Sequence, residues 1–168
     1  MKKMKKLFVG ILSLVTMSVL FTSCLKSDNT TYPQPVDPAL EKDTIAKFIA
    51  RHGYNMVEDQ NAKGYMYEIL NPGSPTDTIS NEKPIVTIKY KGTLLNDVVF
   101  DESSNANFDL RLTSLIPGFS HALFKIGKGG HIRFVTPSAY AYGTRSQNKI
   151  PANSPLFFDI ELIDVTAQ

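Results

Sequence analysis

Hydrophobic and polar positions alternate along five stretches of the chain. A period of two is typical of a β-strand with one buried face, and several such runs favour an antiparallel sheet. The inward-facing positions of the five runs are Tyr65, Tyr67 and Ile69; Val86, Ile88 and Tyr90; Phe108, Leu110 and Leu112; Ile132 and Phe134; and Leu156, Phe158, Ile160 and Leu162.

One helix is predicted before the first strand. Asp37 is placed as its N-cap, Pro38 as its first residue and Gly53 as its end. The apolar positions at helical spacing are Leu40, Ile45, Phe48 and Ile49. This short amphipathic helix either packs on the domain or serves as a dimerisation arm, and the pattern leaves both open.

A second helix is predicted after Pro117, where Phe119, Ala122, Leu123 and Ile126 share one helical face. Together these elements predict an α+β fold. In it, a strongly bent antiparallel β-sheet wraps around one short α-helix, with a further short helix at the N-terminus.

The first residues are typical of an export signal. A lysine-rich start precedes an apolar run over residues 7–20, which is short for a membrane span, and the only cysteine, Cys24, follows. Residues 20–24 resemble a bacterial lipobox, with Phe21 where that family usually has leucine. The resemblance implies cleavage before Cys24 and a diacylglycerol on its thiol. The alternative is an ordinary secretory signal with an incidental cysteine.

These observations predict four segments: a lipoprotein signal (1–23), a lipidated polar tether (24–36), a helical extension (37–62) and the main domain (63–168). Two acyl chains would hold the protein stably on a membrane. We therefore expect it in the cell envelope, on the outer membrane of a bacterium, facing the periplasm or the cell surface. A single cysteine excludes an internal disulfide.

Charge argues against a nucleic-acid partner. The chain has 18 basic and 16 acidic residues, a net charge of +2, but four of the lysines precede the apolar run. Without those four, 14 basic residues face 16 acidic ones, a net charge of −2. The remaining basic residues are not clustered along the sequence, so no nucleic-acid partner is predicted.

Conventional catalytic sets are not evident. His52, His121 and His131 lack metal-site spacing, so no metal or cofactor is predicted. The glycines of residues 127–130 precede a strand and predict a turn, and no G-x-S-x-G sequence occurs. Six aromatic residues stand at positions where they could converge: Tyr90, Phe100, Phe108, Phe119, Tyr142 and Phe158. They form either an aromatic ligand pocket or ordinary core.

Five blocks in order resemble the FKBP-type peptidyl-prolyl cis-trans isomerases. Residues 86–94 and 99–103 resemble V-x-V-x-Y-x-G-x-L and F-D-S-S, and residues 115–119 resemble V-I-x-G-W. Residues 137–143 match P-x-x-Y-A-Y-G, and residues 150–162 match I-P followed by L-x-F-x-V-E-L. The similarity runs from about residue 63 to residue 165 and implies an enzyme that isomerises X-Pro bonds without a cofactor.

The resemblance also implies roles for residues. Tyr90, Phe100, Asp101 and Tyr142 match the catalytic set, with Asp101 as the pocket acid and the Tyr142 hydroxyl donating to a substrate carbonyl. Ile116 matches the residue whose backbone N–H binds substrate. The other residues implied to bind substrate are Phe108, Leu115, Phe119, Ile150 and Phe158.

The sequence departs from the family at three places. Phe119 replaces the usual tryptophan of the pocket floor, residues 102–107 contain no arginine to pair with Asp101, and the 143–150 flap is one residue short and lacks a histidine. The resemblance implies proline-containing polypeptide substrates, macrolide immunosuppressants as inhibitors and a monomer. The alternatives are a non-catalytic lipid-anchored chaperone or peptide-binding module using the same pocket, and a structural envelope lipoprotein.

Overall fold

The computed structural model describes residues 33–109 and 115–167. The predicted signal, Cys24 and most of the tether lie outside the described residues, as do Leu110 and Leu112 of the predicted third strand. In the described part of the chain, no helix is both long enough and apolar enough to cross a membrane.

One antiparallel sheet organises the described residues. Its strands are β1 (Val57–Glu58), β2 (Met66–Asn71), β3 (Ile85–Leu94), β4 (Val99–Asp109), β5 (His131–Thr136) and β6 (Leu156–Thr166). They lie in the order β1-β2-β5-β6-β3-β4, and each neighbouring pair is antiparallel. The predicted α+β fold is confirmed.

The inner face of the sheet packs on a short helix, α2 (Pro117–Leu123). The predicted apolar face is confirmed for Phe119, Ala122 and Leu123, which are buried. Ile126 is buried as well, but it follows the end of the helix. The alternate residues of β6, which point to one side of the sheet, complete the same core. Its fully buried members include Tyr65, Val86, Ile88, Ile132, Phe134, Leu156, Ile160 and Leu162.

The outer face carries the N-terminal helix, α1 (Lys42–His52), which follows one turn of 3-10 helix at Pro38–Glu41. Asp37 caps the start by accepting a hydrogen bond from the Ala39 N–H at 2.8 Å, and Gly53 ends α1 with a φ of 67°. Ile45 and Phe48 form a second buried cluster with Val135 and Phe157. The helix therefore packs on the sheet.

Three details of the predicted pattern are wrong. Leu40 is 76% exposed, because the 3-10 turn that contains it rotates its side chain out of the apolar stripe. Ile69 is 39% exposed, next to a register shift between β2 and β5. The third strand begins at Val99 rather than near Phe108. Since β4 is the edge strand of the described sheet, paired with β3, its mostly polar residues 102–107 are largely exposed and show no alternation of apolar and polar positions.

Candidate active site

Aromatic side chains from separate segments converge beside α2. Phe119 packs edge-to-face on Tyr90 and on Phe158, with ring centroids 5.8 and 5.2 Å apart. Phe100 packs edge-to-face on Phe158 at 5.5 Å, and Phe108 lies 6.5 Å from Tyr90. Such pairs stabilise a fixed arrangement of rings. The sequence left pocket and core open as alternatives, and the cluster has features of both.

Exposure separates the cluster into a floor and a rim. Phe119 and Phe158 are 5% and 4% exposed and belong to the core, which makes them the floor. The residues packed on this floor are only partly buried: Tyr90, Phe100, Phe108, Leu115, Ile116 and Tyr142. A cluster with a buried apolar floor and accessible walls is suited to receive a small apolar ring.

A short hydrogen bond from Tyr90 holds the Asp101 side chain. The Tyr90 hydroxyl donates to Asp101 Oδ2 at 2.7 Å, across the ladder that joins β3 to β4. Partial burial is the main cause that raises the pKa of Tyr90 well above its usual range, and the bond to Asp101 adds to it. Tyr90 therefore stays protonated and keeps donating to the carboxylate.

Tyr142 stands at the end of a tight turn. The strand β5 leads through Pro137 into a one-turn 3-10 helix, Ser138–Tyr140, and the chain then reverses at Gly143, which has a φ of 58°. Among the described residues, none accepts a hydrogen bond from the Tyr142 hydroxyl. That hydroxyl remains available to a ligand in the pocket.

The start of α2 supplies the opposite rim. Ile116 has extended backbone, and its carbonyl accepts from Phe119 N and Ser120 N at 3.0 and 3.2 Å. None of the backbone hydrogen bonds between described residues uses the Ile116 N–H. Leu115 precedes it and is half-buried against the same core.

Ile150 comes from the flap that follows Tyr142. Two backbone hydrogen bonds with Gln147, of 2.7 and 2.8 Å, close a tight hairpin, and Asn153 N donates to the Gly143 carbonyl at 2.7 Å. Ile150 is 5% exposed and packs into the core, so it anchors the flap. Nine of the ten predicted pocket residues belong to the core on one side of the sheet or pack against it. The tenth, Asp101, is exposed and lies beside Tyr90.

Sequence reasoning missed two buried carboxylates that support this site. Asp59 is 6% exposed and binds His121 and Lys125 at 3.0 and 2.5 Å, on and just after α2. Glu41 is 7% exposed and binds Ser138. The residues that these carboxylates bind lie far away in sequence, so no local pattern predicts the contacts.

A separate groove of about 1040 Å³ lies on the outer face of the sheet, between α1 and the β3–β6 strands. Of the predicted site residues, only Tyr90 borders it. Its charged side chains largely neutralise one another, as in the pairs of Lys89 with Glu161 and of Arg133 with Asp159. We place the candidate site at the aromatic cluster, because there a buried apolar floor lies beside polar groups that form no hydrogen bond within the described part of the chain.

A family model matches the part of the chain that contains this cluster. The model described as "FKBP-type peptidyl-prolyl cis-trans isomerase" matches residues 76–163, slightly more than half of the chain. The matched range contains all ten predicted pocket residues.

Similar proteins carry the same description. The FKBP-type peptidyl-prolyl cis-trans isomerase FkpA of Buchnera aphidicola from Acyrthosiphon pisum is 43% identical over 108 residues, which are 63% of this chain and 44% of that protein. FkpA of Escherichia coli K12 is 37% identical over 107 residues, 62% of this chain and 39% of that protein. This chain thus covers less than half the length of these two relatives.

Solved structures support the fold. The crystal structure of Escherichia coli FkpA superimposes with a TM-score of 0.60 and 30% identity, covering 77% of this chain and 62% of that one. A peptidyl-prolyl cis-trans isomerase from Pseudomonas syringae superimposes with a TM-score of 0.59 and 28% identity, covering 80% of this chain and 99% of that one.

Proposed function

Because the chain belongs to the FKBP-type peptidyl-prolyl cis-trans isomerase family, we propose that it accelerates rotation about X-Pro bonds in extracytoplasmic polypeptides. The observation that carries this proposal is the pocket itself. Its floor of Phe119 and Phe158 is buried and apolar, and at its rim the Tyr142 hydroxyl and the Ile116 N–H form no hydrogen bond with another described residue.

The reaction needs positioning rather than a nucleophile. The barrier to rotation is about 18–20 kcal/mol, because the amide C–N bond has partial double-bond character. Twisting the amide removes that resonance and leaves a less polar C–N unit. A dry apolar pocket around the proline ring therefore favours the twisted form over the planar one.

The residues take the following roles in this proposal. The rings of Phe119 and Phe158 hold the proline from below, and those of Phe100 and Phe108 hold it from the sides. The Tyr142 hydroxyl and the Ile116 N–H bind carbonyls of the flanking chain, so that binding energy is used on the twisted form. Leu115 and Ile150 shape the rim. Asp101, held by the Tyr90 hydroxyl at 2.7 Å, orients the carbonyl before the proline.

The test is a peptide assay with the full chain, purified in a mild detergent. A short X-Pro peptide should isomerise faster than its spontaneous rate, which corresponds to tens to hundreds of seconds. Tyr142→Phe, Asp101→Ala and Phe108→Ala should each lower kcat/KM, while Leu40→Ala, which changes a side chain that is 76% exposed, should not.

If the folded protein accelerates no peptide, with several residues tried before proline, the proposed isomerase activity is wrong. The non-catalytic peptide-binding module would then explain the pocket better, and binding of proline-containing peptides without turnover would identify it. The Tyr90–Asp101 pair favours the enzyme, as does a Tyr142 hydroxyl that has no hydrogen-bond acceptor among residues 33–109 and 115–167.

The envelope location rests on the sequence resemblance at Cys24. We expect the mature protein to be monomeric, diacylated at Cys24 and attached to the outer membrane. Labelled palmitate should enter the wild-type protein and not Cys24→Ser, and the wild-type protein should fractionate with membranes. Protease treatment of intact cells distinguishes a surface-facing protein, which is cleaved, from a periplasmic one.

Macrolide immunosuppressants should compete with peptide for the pocket.

A further inference from the structure

Glu41 is a buried carboxylate outside the pocket that the mechanism above does not use. It ends the 3-10 turn before α1, and its residue exposure is 7%. No lysine, arginine or histidine among the described residues forms an ion pair with it. A buried carboxylate without a cation is costly unless hydrogen bonds satisfy both oxygens.

Both oxygens of Glu41 are satisfied by one residue, Ser138, 97 positions along the chain. The Ser138 N–H donates to Oε2 at 2.8 Å, and the Ser138 hydroxyl donates to Oε1 at 2.5 Å. Ser138 is 1% exposed, so water does not compete for these bonds. Bonds to a charged acceptor are stronger than neutral ones. The contact therefore fixes both the position and the orientation of Ser138.

Ser138 in turn fixes the backbone on both sides of Tyr142. Its carbonyl accepts hydrogen bonds from Ala141 N at 3.0 Å and from Gly143 N at 2.9 Å. Tyr142 lies between these two donors. Glu41 thus accepts from the N–H and the hydroxyl of Ser138, and the Ser138 carbonyl accepts from the turn that contains Tyr142. We call this chain of hydrogen bonds the relay.

From this relay we propose that Glu41 is a positioning residue for Tyr142. It sets the direction of the Tyr142 hydroxyl toward the substrate and makes the N-terminal segment part of the isomerase site. The inference rests on the proposed isomerase activity. It goes beyond that activity by assigning a role to a residue that precedes the 76–163 family match.

The hydrogen bonds from Glu41 through Ser138 are independent of the contacts that hold α1 on the sheet. Ile45 and Phe48 hold that helix on Val135 and Phe157 through an apolar cluster of its own. Loss of the Glu41 bonds should therefore loosen the 138–143 turn while α1 stays packed.

Substitutions at Glu41 should differ in a predictable order. Glu41→Leu leaves the N–H and the hydroxyl of Ser138 without acceptors. Glu41→Gln keeps a carbonyl for the N–H, and its amide can donate to the hydroxyl oxygen. Since buried donors left without acceptors destabilise the turn that holds Tyr142, we expect kcat/KM to fall about tenfold or more in Glu41→Leu and clearly less in Glu41→Gln.

A double-mutant cycle with Tyr142→Phe tests whether Glu41 acts through the hydroxyl. The proposal requires that Glu41→Leu lower kcat/KM in the wild-type background and have little further effect once the hydroxyl is gone. Ile45→Ala is the matched control, because it destabilises the same helix without touching Ser138. It should leave the kcat/KM of the folded protein unchanged. Equal losses from Glu41→Leu in both backgrounds would overturn the proposal.

Amide hydrogen exchange tests the relay without any activity. In Glu41→Leu, the amides of Ala141 and Gly143 should exchange faster, while the β6 amide of Ile160 should not change. Unchanged exchange at Ala141 and Gly143 would overturn the relay even in an active enzyme. If wild-type protein shows no isomerase activity but exchange responds as expected, the proposed function fails while the structural relay stands.

Discussion

We expect Asp59 to contribute much of the stability of the pocket floor. Its carboxylate, 4% exposed, accepts from Lys125 Nζ at 2.5 Å, from His121 Nε2 at 3.0 Å and from the Asn61 N–H at 2.8 Å. His121 lies in α2 and Lys125 just after it, so this network joins the loop after β1 to the helix that carries Phe119. Replacing Asp59 by asparagine removes the charge at nearly constant volume.

The expected loss follows from what the substitution leaves behind. Breaking a buried ion pair costs about 3–5 kcal/mol, because the remaining charge is uncompensated. The Lys125 side chain is 21% exposed, and its ammonium lies 4.4 Å from the centre of the Tyr67 ring, so it retains part of its solvation. We therefore expect a loss near the lower end, about 3 kcal/mol. For a chain of this size that lowers the Tm by about 6–12 °C.

The pH dependence has a definite sign. The bonds from Lys125, above all, hold the pKa of Asp59 well below its usual range. A carboxyl with a lowered folded-state pKa stabilises the protein fully above the unfolded pKa of about 3.9, and this contribution is lost as the pH falls toward the folded pKa. The stability difference between wild type and Asp59→Asn should be constant from pH 7 to pH 5 and should narrow below about pH 4.

Urea denaturation at a series of pH values measures both effects. Asp77→Asn is a matched control, because Asp77 pairs with Lys83 at a similar distance, 2.8 Å, but on the surface, and it should leave the midpoint unchanged at pH 7. Adding Lys125→Met to Asp59→Asn should recover part of the loss, since it removes the unpaired charge. A loss below about 1 kcal/mol at pH 7, or a difference that does not narrow in acid, would refute the reasoning.

Three further outcomes are expected. Gly118→Ala should destabilise the protein by about 1–3 kcal/mol in urea denaturation, because the new Cβ would lie 2.3 Å from the Thr136 hydroxyl oxygen; unchanged stability would contradict the tight contact of α2 with β5. Gly92→Ala should raise the KM for peptide, because its Cβ would lie 2.6 Å from the Phe100 ring and displace a pocket wall; an unchanged KM would place the proline elsewhere. Asp97→Asn, which loses two exposed ion pairs with α1, should change stability little by the same denaturation assay, and a loss comparable to that of Asp59→Asn would contradict the distinction between buried and exposed pairs.

Local patterns in the sequence predicted the elements that are amphipathic. The alternation of residues 156–162 predicted β6, and the spacing of Phe119, Ala122 and Leu123 predicted α2, since in both cases one face is continuously apolar and buried. Phe157, on the other face of β6, is buried under α1. The edge strand β4 escaped over residues 99–107, because exposure of one edge removes the need for alternation. The turn that places Leu40 in solvent was likewise invisible to a periodicity of 3.6.

The site divides in the same way. Its aromatic residues were recognisable from five ordered blocks of sequence, although pattern alone left pocket and core as alternatives. The two carboxylates that support it were not recognisable, because a buried Glu41 or Asp59 is intelligible only when its donors, 97 and 62 to 66 positions away, are known. Long-range polar pairing has no period, so a single sequence contains no signal for it.

These carboxylates bear on how the N-terminal segment relates to the pocket. Several polar contacts cross the predicted boundary at residue 63, and those of Glu41, Asp59 and Arg51 lead to different parts of the pocket. Glu41 binds the turn before Tyr142, Asp59 binds α2 below the pocket, and Arg51 binds Asp97 and the Leu95 carbonyl in the turn between β3 and β4, which leads to Phe100. A segment with only a spacer role would have no reason to bury two carboxylates, each of which is stable only while its donors stay in place. The structural unit that sets the shape of the pocket therefore includes Glu41 and Asp59 of the N-terminal segment, and loss of either carboxylate should change kcat/KM.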